Sequence, residues 1–198
     1  MKPEWFKPRG YAHFDASVGA AFAGSVTESL IEKHSWSPLI SYTKQIKRYK
    51  RLLGKTEYKN REIMYASHRD ACFLSKYSAE LTAILNQYYE AEKLEENVIA
   101  YRALGKANYH FSADAQRFAM ATAPCVMLCF DVTGFFDNLD HSILKDRLKR
   151  ILKVKELSKA WYAIFRHVTR FHHVRRDALS VHPKFGPRLF GTSIHNDL

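Results

Sequence analysis

The sequence predicts a mixed fold of the α+β class, and three observations carry that expectation. Apolar residues recur at helical spacing over 75–92, 140–153 and 158–171. A dense apolar run, "CVMLCF" at 125–130, lies between Pro124 and Gly134 and has the length of a central strand buried on both faces. Two further short apolar runs in "REIMYASHRDACFL", 61–74, suit a hairpin or a strand leading into a helix. At 198 residues and 23.0 kDa, the chain has the size of one domain with a short lead-in.

In chain order, residues 1–40 carry prolines at 3, 8 and 38 and a small-residue patch, "GAAFAG", and read as loops and short helix. Residues 41–53, "SYTKQIKRYKRLL", read as a basic helix ended by Gly54. Together they make a lead-in over 1–54 ahead of a main domain over 55–198. In 75–92, Tyr77, Leu81, Ile84, Leu85 and Tyr88 mark one helical face. "NVIAYRALGKANY" reads as a short strand and a glycine turn. Ser112 is placed to cap a helix bearing Ala115, Phe118, Ala119 and Thr122, which Pro124 stops. The helix over 140–153 sets Ile143, Leu144, Leu148, Ile151 and Leu152 against cations, with Asp140 as its N-cap. The helix over 158–171 aligns Trp161, Phe165 and Val168. No repeat or low-complexity tract interrupts this order, and the tail "FGPRLFGTSIHNDL" reads as having no closing helix.

Charge narrows the choice of partner. The chain holds 31 Lys+Arg against 20 Asp+Glu, a net charge of +11, which points first to nucleic acid and second to a membrane surface. Eight cations and one acid, Glu57, fall between Lys44 and Arg61; eleven cations face Asp146 and Glu156 between Lys145 and Arg176. A cation run alone equally suits a solvated helix face. Interleaving with Tyr42, Tyr49, Tyr58, Trp161, Tyr162 and Phe165 favours nucleic acid, because aromatics stack bases while cations meet phosphates. Lys44, Lys47, Arg48, Lys50 and Arg51 in the first cluster, and Lys149, Arg150, Arg166 and Arg170 in the second, are the candidate contacts.

Three cysteines, Cys72, Cys125 and Cys129, without framework spacing fit reduced thiols in a cytoplasmic protein. Cys125 and Cys129 would share one face of the 125–130 strand as small core residues. No His or Cys cluster has zinc-ligand spacing, and His167, His172 and His173 are expected at the surface or facing phosphate. The start, "MKPEWFKPRG", lacks the apolar centre of a secretion signal. No run approaches the roughly 20 apolar residues of a membrane helix, so no membrane partner is expected.

The exit of the 125–130 run gathers Asp131, Asp137 and Asp140. Asp137 suits the turn there. Asp131 is either a turn cap or a functional carboxylate, since a buried strand ending in an acid is costly without a cation. Phosphatases of the haloacid dehalogenase type need a second Asp where this chain has Thr133. The palm of a nucleic-acid polymerase instead uses one such Asp and the next carbonyl to hold Mg²⁺ against a triphosphate.

"FDVTGFFDNLDHSILKDRL" closely resembles motif A of bacterial reverse transcriptases, the group II intron, retron and phage-defence class. Upstream, "KNREIMYASHRDACFLSKYSAEL" resembles the first fingers motif of that family and "VIAYRALGKANYHFSADAQRFA" the second, so the resemblance spans about residues 55–175. Its wording is more like the defence-associated enzymes than the intron maturases. The resemblance implies the fingers and first half of the palm of a right-hand polymerase. It further implies RNA-directed DNA synthesis from dNTPs on an RNA template with a DNA primer or product, using Mg²⁺ (or Mn²⁺). By position, Asp131 would bind metal with the Val132 carbonyl, and Phe136 would be the steric gate beneath the sugar, unless Phe135 takes that place. Lys59, Arg61 and Arg69 would meet the triphosphate, with Arg102 a further candidate.

The chain departs from that family in one respect. The family takes its remaining carboxylates from a Tyr-x-Asp-Asp turn, whereas no two Asp are adjacent here and nothing after Asp177 resembles the later motifs. The expectation is therefore a module inactive alone, completed by a second chain or a further part of the enzyme. The alternative is a nucleic-acid-binding or interaction module that retains the fold and does no chemistry.

Overall fold

A computed structural model of the chain describes residues 2–191. Its elements are α1 (Ala20–Gly24), α2 (Glu28–Glu32), β1 (Leu39–Lys50), β2 (Lys55–Tyr65), α3 (His68–Ala91), α4 (Asn108–Ala121), α5 (His141–Ile151), α6 (Lys159–Thr169), β3 (His173–Arg175), α7 (Arg176–Ser180) and α8 (Gly186–Phe190). Helix and sheet are mixed, in keeping with the α+β class. The chain divides into two units, Met1–Glu80 with Glu156–Leu198, and Leu81–Lys155.

The basic segment expected to be a helix is a strand. β1 pairs antiparallel with β2 from Ile40↔Tyr65 to Lys50↔Lys55, and parallel with β3 from Leu39↔His173 to Ser41↔Arg175, in the order β2-β1-β3. Lys, Arg and Gln favour helix weakly, but Ile40, Tyr42, Thr43, Ile46 and Tyr49 fit a pleated surface, and β2 supplies a full ladder of partners. Beyond Ser41 the two strands have no third neighbour among the described residues. They form a ribbon of nine residue pairs, roughly 30 Å long at the usual strand rise. A single 3₁₀ turn at Arg51–Leu53 and Gly54, at φ 59° and ψ 18°, close its tip. That left-handed conformation favours glycine. The expected boundary at residue 54 thus falls inside a hairpin.

The first forty residues, expected as a lead-in, contribute four side chains to the core. Phe6, Ala23, Val26 and Ile31 pack with Cys72, Phe73 and Tyr77 of α3 and Ala160 and Ile164 of α6. The Tyr77 ring meets Trp161 edge-on at 4.5 Å, and burial pushes its phenol far above the ordinary value. α6 begins as the sequence predicts, with Ser158 Oγ accepting from Trp161 N at 3.2 Å. His167, expected at the surface, is buried and stacked on Trp36 at 4.1 Å, because it continues the Ala160–Ile164 face by three residues.

Two carboxylates organise the start of α3. Asp15 accepts from His68 N, His68 Nδ1 and Arg69 N, each at 2.9 Å. Burial opposes its ionisation, but those donors outweigh it and hold the carboxyl below its ordinary value. Asp70 is fully buried; it bonds His34 Nε2 and accepts from Ser37 N at 3.0 Å.

In the second unit, α5 is capped as expected. Asp140 Oδ1 accepts from Ser142 N at 2.7 Å and Ile143 N at 3.1 Å, and with Ser142 Oγ these bonds hold its carboxyl below the usual range. α4 begins four residues before Ser112, which therefore lies inside the helix and does not cap it. It ends before Pro124, as expected. "NVIAYRALGKANY" contains no strand and is held by turns.

Residues 125–130 form no strand either. No ladder partner lies beside them among the described residues, and a strand needs one to satisfy its backbone. Their side chains are exposed, Phe130 by 90%, and so are Cys125 and Cys129, whereas Cys72 is buried and its thiol raised by burial. The tail holds a short helix, α8, and residues 192–198 of it lie outside the described residues. No helix among the described residues is long and apolar enough to cross a membrane.

Candidate nucleic-acid interface

The register of the ribbon sorts its charges. Side chains alternate faces along a strand, and residues opposite each other share a face. One face therefore carries Lys44, Arg48 and Lys50 from β1 and Lys55, Lys59 and Arg61 from β2, six cations against the single acid Glu57. The other face carries Thr43, Gln45, Lys47 and Tyr49 opposite Glu62, Asn60, Tyr58 and Thr56, with one cation. Thr43 Oγ1 donates to Glu62, so that acid is held within the second face. All six cations of the first face are exposed.

Near the tip, Glu57 bridges Lys50 at 2.6 Å and Lys55 at 3.3 Å. Lys44, Arg48, Lys59 and Arg61 have no carboxylate partner among the described residues. At the root, the Arg176 guanidinium lies 5.9 Å from the Tyr42 ring, and Tyr42 meets Tyr65 at 6.2 Å. The cationic face thus runs into α7. An exposed cation-rich strip attracts anions by its charge, and two-stranded ribbons in general are of a size to enter a nucleic-acid groove.

Of the contacts expected from sequence, Lys44, Arg48, Lys50, Lys59 and Arg61 fall on this one face. Lys47 lies on the opposite face and Arg51 in the tip turn. Lys55 and Arg176 complete the strip and were not singled out; strand parity would have found Lys55, while Arg176 depends on the fold. Arg166 is exposed on α6 and Arg170 is exposed at its C-cap. Lys149 and Arg150 lie on α5 of the other unit, where Lys149 pairs with Asp146 at 3.1 Å.

Arg69 opens α3 beside the ribbon's second strand in sequence, but not on the strip. Its guanidinium lies 5.6 Å from the Phe22 ring, on a cleft of about 570 Å³ shared with Arg188, Ser35 and Ser37. Arg102 is committed within its own unit. It donates to Asn86 Oδ1 at 3.0 Å and to the carbonyls of Glu95 and Val98 at 2.7 and 2.8 Å, and stacks over Tyr89. Those bonds close the turns after α3 with three of the five guanidinium N–H donors.

The motif around Asp131 folds as a turn. Gly134 sits at φ +63°, Asn138 Nδ2 donates to Gly134 O at 2.8 Å, and a 3₁₀ turn at Phe136–Asn138 leads to the Asp140 cap. Asp137 serves this turn through its N–H, which donates to Gly134 O at 3.0 Å. Asp131, Val132 and Phe136 are exposed, and Phe135 packs edge-on against Phe136 at 5.4 Å. For the implied Mg²⁺ (or Mn²⁺), these residues offer one carboxylate and one carbonyl. Asp140 is spent on its cap. No group of three or more His, Cys, Asp or Glu is assembled among the described residues. This donor set does not by itself hold two ions.

Compared with known families and curated proteins, the chain matches no family model and no curated relative.

Proposed function

We propose that the chain is a nucleic-acid-binding module of reverse-transcriptase type, the fingers and part of the palm of an RNA-directed DNA polymerase. The observation that carries the binding half of this reading is the segregation of six cations onto one exposed face of the ribbon. The polymerase half rests on the three motifs in sequence, and the turn from Gly134 to the Asp140 cap supports it by giving motif A a defined local shape. RNA template and DNA primer or product are the partners, and dNTPs the substrates. Asp131 is the residue assigned to chemistry, in a site that needs further carboxylates.

The test is a binding and extension assay on the 198-residue chain. Affinity for RNA and DNA should fall with salt along a log–log slope of about −3 to −5, as for roughly five neutralised phosphates, with little sequence preference. Primer extension with dNTPs and Mg²⁺ or Mn²⁺ should not occur, because no carboxylate group is assembled with Asp131 among the described residues. Salt-insensitive or absent binding overturns the nucleic-acid reading. Extension by this chain overturns the assignment of an incomplete site.

A second reading, a binding module without chemistry of any kind, is favoured by the solitary position of Asp131. It is separated from the first by Asp131→Asn in a reconstituted, extending enzyme. Loss of incorporation by on the order of a hundredfold with RNA binding unchanged supports the polymerase reading, and unchanged incorporation supports the second.

A further inference from the structure

The face of the ribbon opposite the cations has a different chemistry. Tyr49 and Tyr58 are 67% and 60% exposed, and the register Lys47↔Tyr58 and Tyr49↔Thr56 makes them diagonal neighbours on that face. Diagonal positions stand about 7–8 Å apart. Neither ring stacks on another aromatic side chain among the described residues, and each stays more than half exposed to solvent. Gln45, Thr56 and Asn60 surround them with uncharged hydrogen-bonding groups, and Lys47 stands directly across from Tyr58.

Single exposed tyrosines are ordinary on protein surfaces. What sets this pair apart is the sorting around it. Six cations and Glu57 of the same hairpin take one face, while the two exposed rings, one cation, neutral side chains and Glu62, which is bonded to Thr43, take the other. Repulsive or solvating roles for Lys and Arg would require no such division. Base stacking on aromatic side chains, beside a cation for the phosphate, is how single strands are held without sequence preference.

We propose that Tyr49 and Tyr58 form a stacking platform for the unpaired bases of a single strand, with Lys47 meeting its phosphate. The inference rests on the nucleic-acid reading above and deepens it. The ribbon holds phosphates by its cationic face and bases by the other, so that unpaired nucleotides are distinguished from paired ones. Either sugar is accepted, because the contacts are to bases and phosphate.

The experiment compares the full chain with its Tyr49→Ala/Tyr58→Ala variant on three probes of equal length: an oligo-dT strand, an abasic strand and a duplex. The variant should lose at least about tenfold in affinity for oligo-dT and bind the abasic strand and the duplex as before. Tyr49→Phe/Tyr58→Phe should bind oligo-dT as wild type does. Should the alanine variant unfold, Tyr49→Leu/Tyr58→Leu, which keeps an apolar side chain on each strand, replaces it with the same expectation. Equal loss on abasic and oligo-dT strands, or no loss on oligo-dT, overturns the platform while leaving nucleic-acid binding standing. Absence of binding to all three probes by the wild-type chain overturns the underlying reading instead.

Discussion

Lys44 and Arg61 stand directly opposite each other on the exposed face of the ribbon, with no carboxylate paired to either among the described residues. Like charges placed across a sheet repel and destabilise it. The repulsion is relieved when an anion lies between them. The pair therefore links the stability of the free protein to its occupancy.

Replacing both, as Lys44→Ala/Arg61→Ala, should make the free chain slightly more stable, by up to about 1 kcal/mol. It should also weaken nucleic-acid binding and flatten the salt slope by about 1 per cation removed. Thermal unfolding and salt-titrated binding measure the two effects. A variant that loses stability and keeps its slope would contradict this account of the strip.

Acid should destabilise the fold in two stages. His13 and His167 are buried, and burial pushes both below the ordinary value of 6.5 despite nearby carboxylates. The unfolded chain thus binds protons more readily than the folded one, so stability is full above about pH 6.5 and falls as pH drops through that value. Asp15, held below its ordinary 3.8, adds a second loss below about pH 4. Unfolding midpoints across pH 4–8 should show the first stage, and His167→Gln should shrink it. A midpoint that rises from pH 7.5 to 5.5 would be inconsistent with neutral buried histidines.

Asp70→Ala should cost about 3–5 kcal/mol, since it strands the His34 ring and the Ser37 N–H next to a closed core. Asp70→Asn, which keeps one acceptor, should cost less. Urea unfolding of the two variants orders them, and equal costs would show that volume rather than hydrogen bonding matters at this position.

Thiol labelling separates two descriptions of residues 125–130. Cys125 and Cys129 are exposed and should react with a maleimide rapidly, while Cys72 should react only on unfolding. Protection of Cys125 and Cys129 would instead favour the buried strand expected from the sequence.

What was legible in the sequence was what is decided locally. Asp140 announces α5 because a cap and an apolar stripe lie within a few residues of each other, and the apolar line from Trp161 announces α6. The strand character of β1 was hidden by its lysines and arginines, and was settled by β2, whose Arg61 and Lys59 must be set against Lys44 and Ile46 before the pattern is visible. The apolar run at 125–130 erred in the opposite direction: strand composition without a strand neighbour leaves an exposed segment. The bonds from Asp15 to His68 and from Asp70 to His34 span 53 and 36 residues, and no short-range pattern announces them. His167 follows Ile164 by three residues on the Ala160–Ile164 face, which lies beside the Trp161–Phe165–Val168 line that the sequence marks, so its burial is legible only once the packed face is known.

Among the described residues, the ribbon is fastened at its root. β3 reaches β1 no further than Ser41, and Arg176 braces Tyr42 just beyond it. From there, about 30 Å of paired strand projects to Gly54. Such a geometry is a cantilever: a tilt of about 10° at the root sweeps the tip through roughly 5 Å over that length. Substitutions at Tyr42 or Arg176, remote from any cation of the tip, should therefore shift where Leu52 and Lys50 come to rest. The aim of the arm is set by the packing of its pivot.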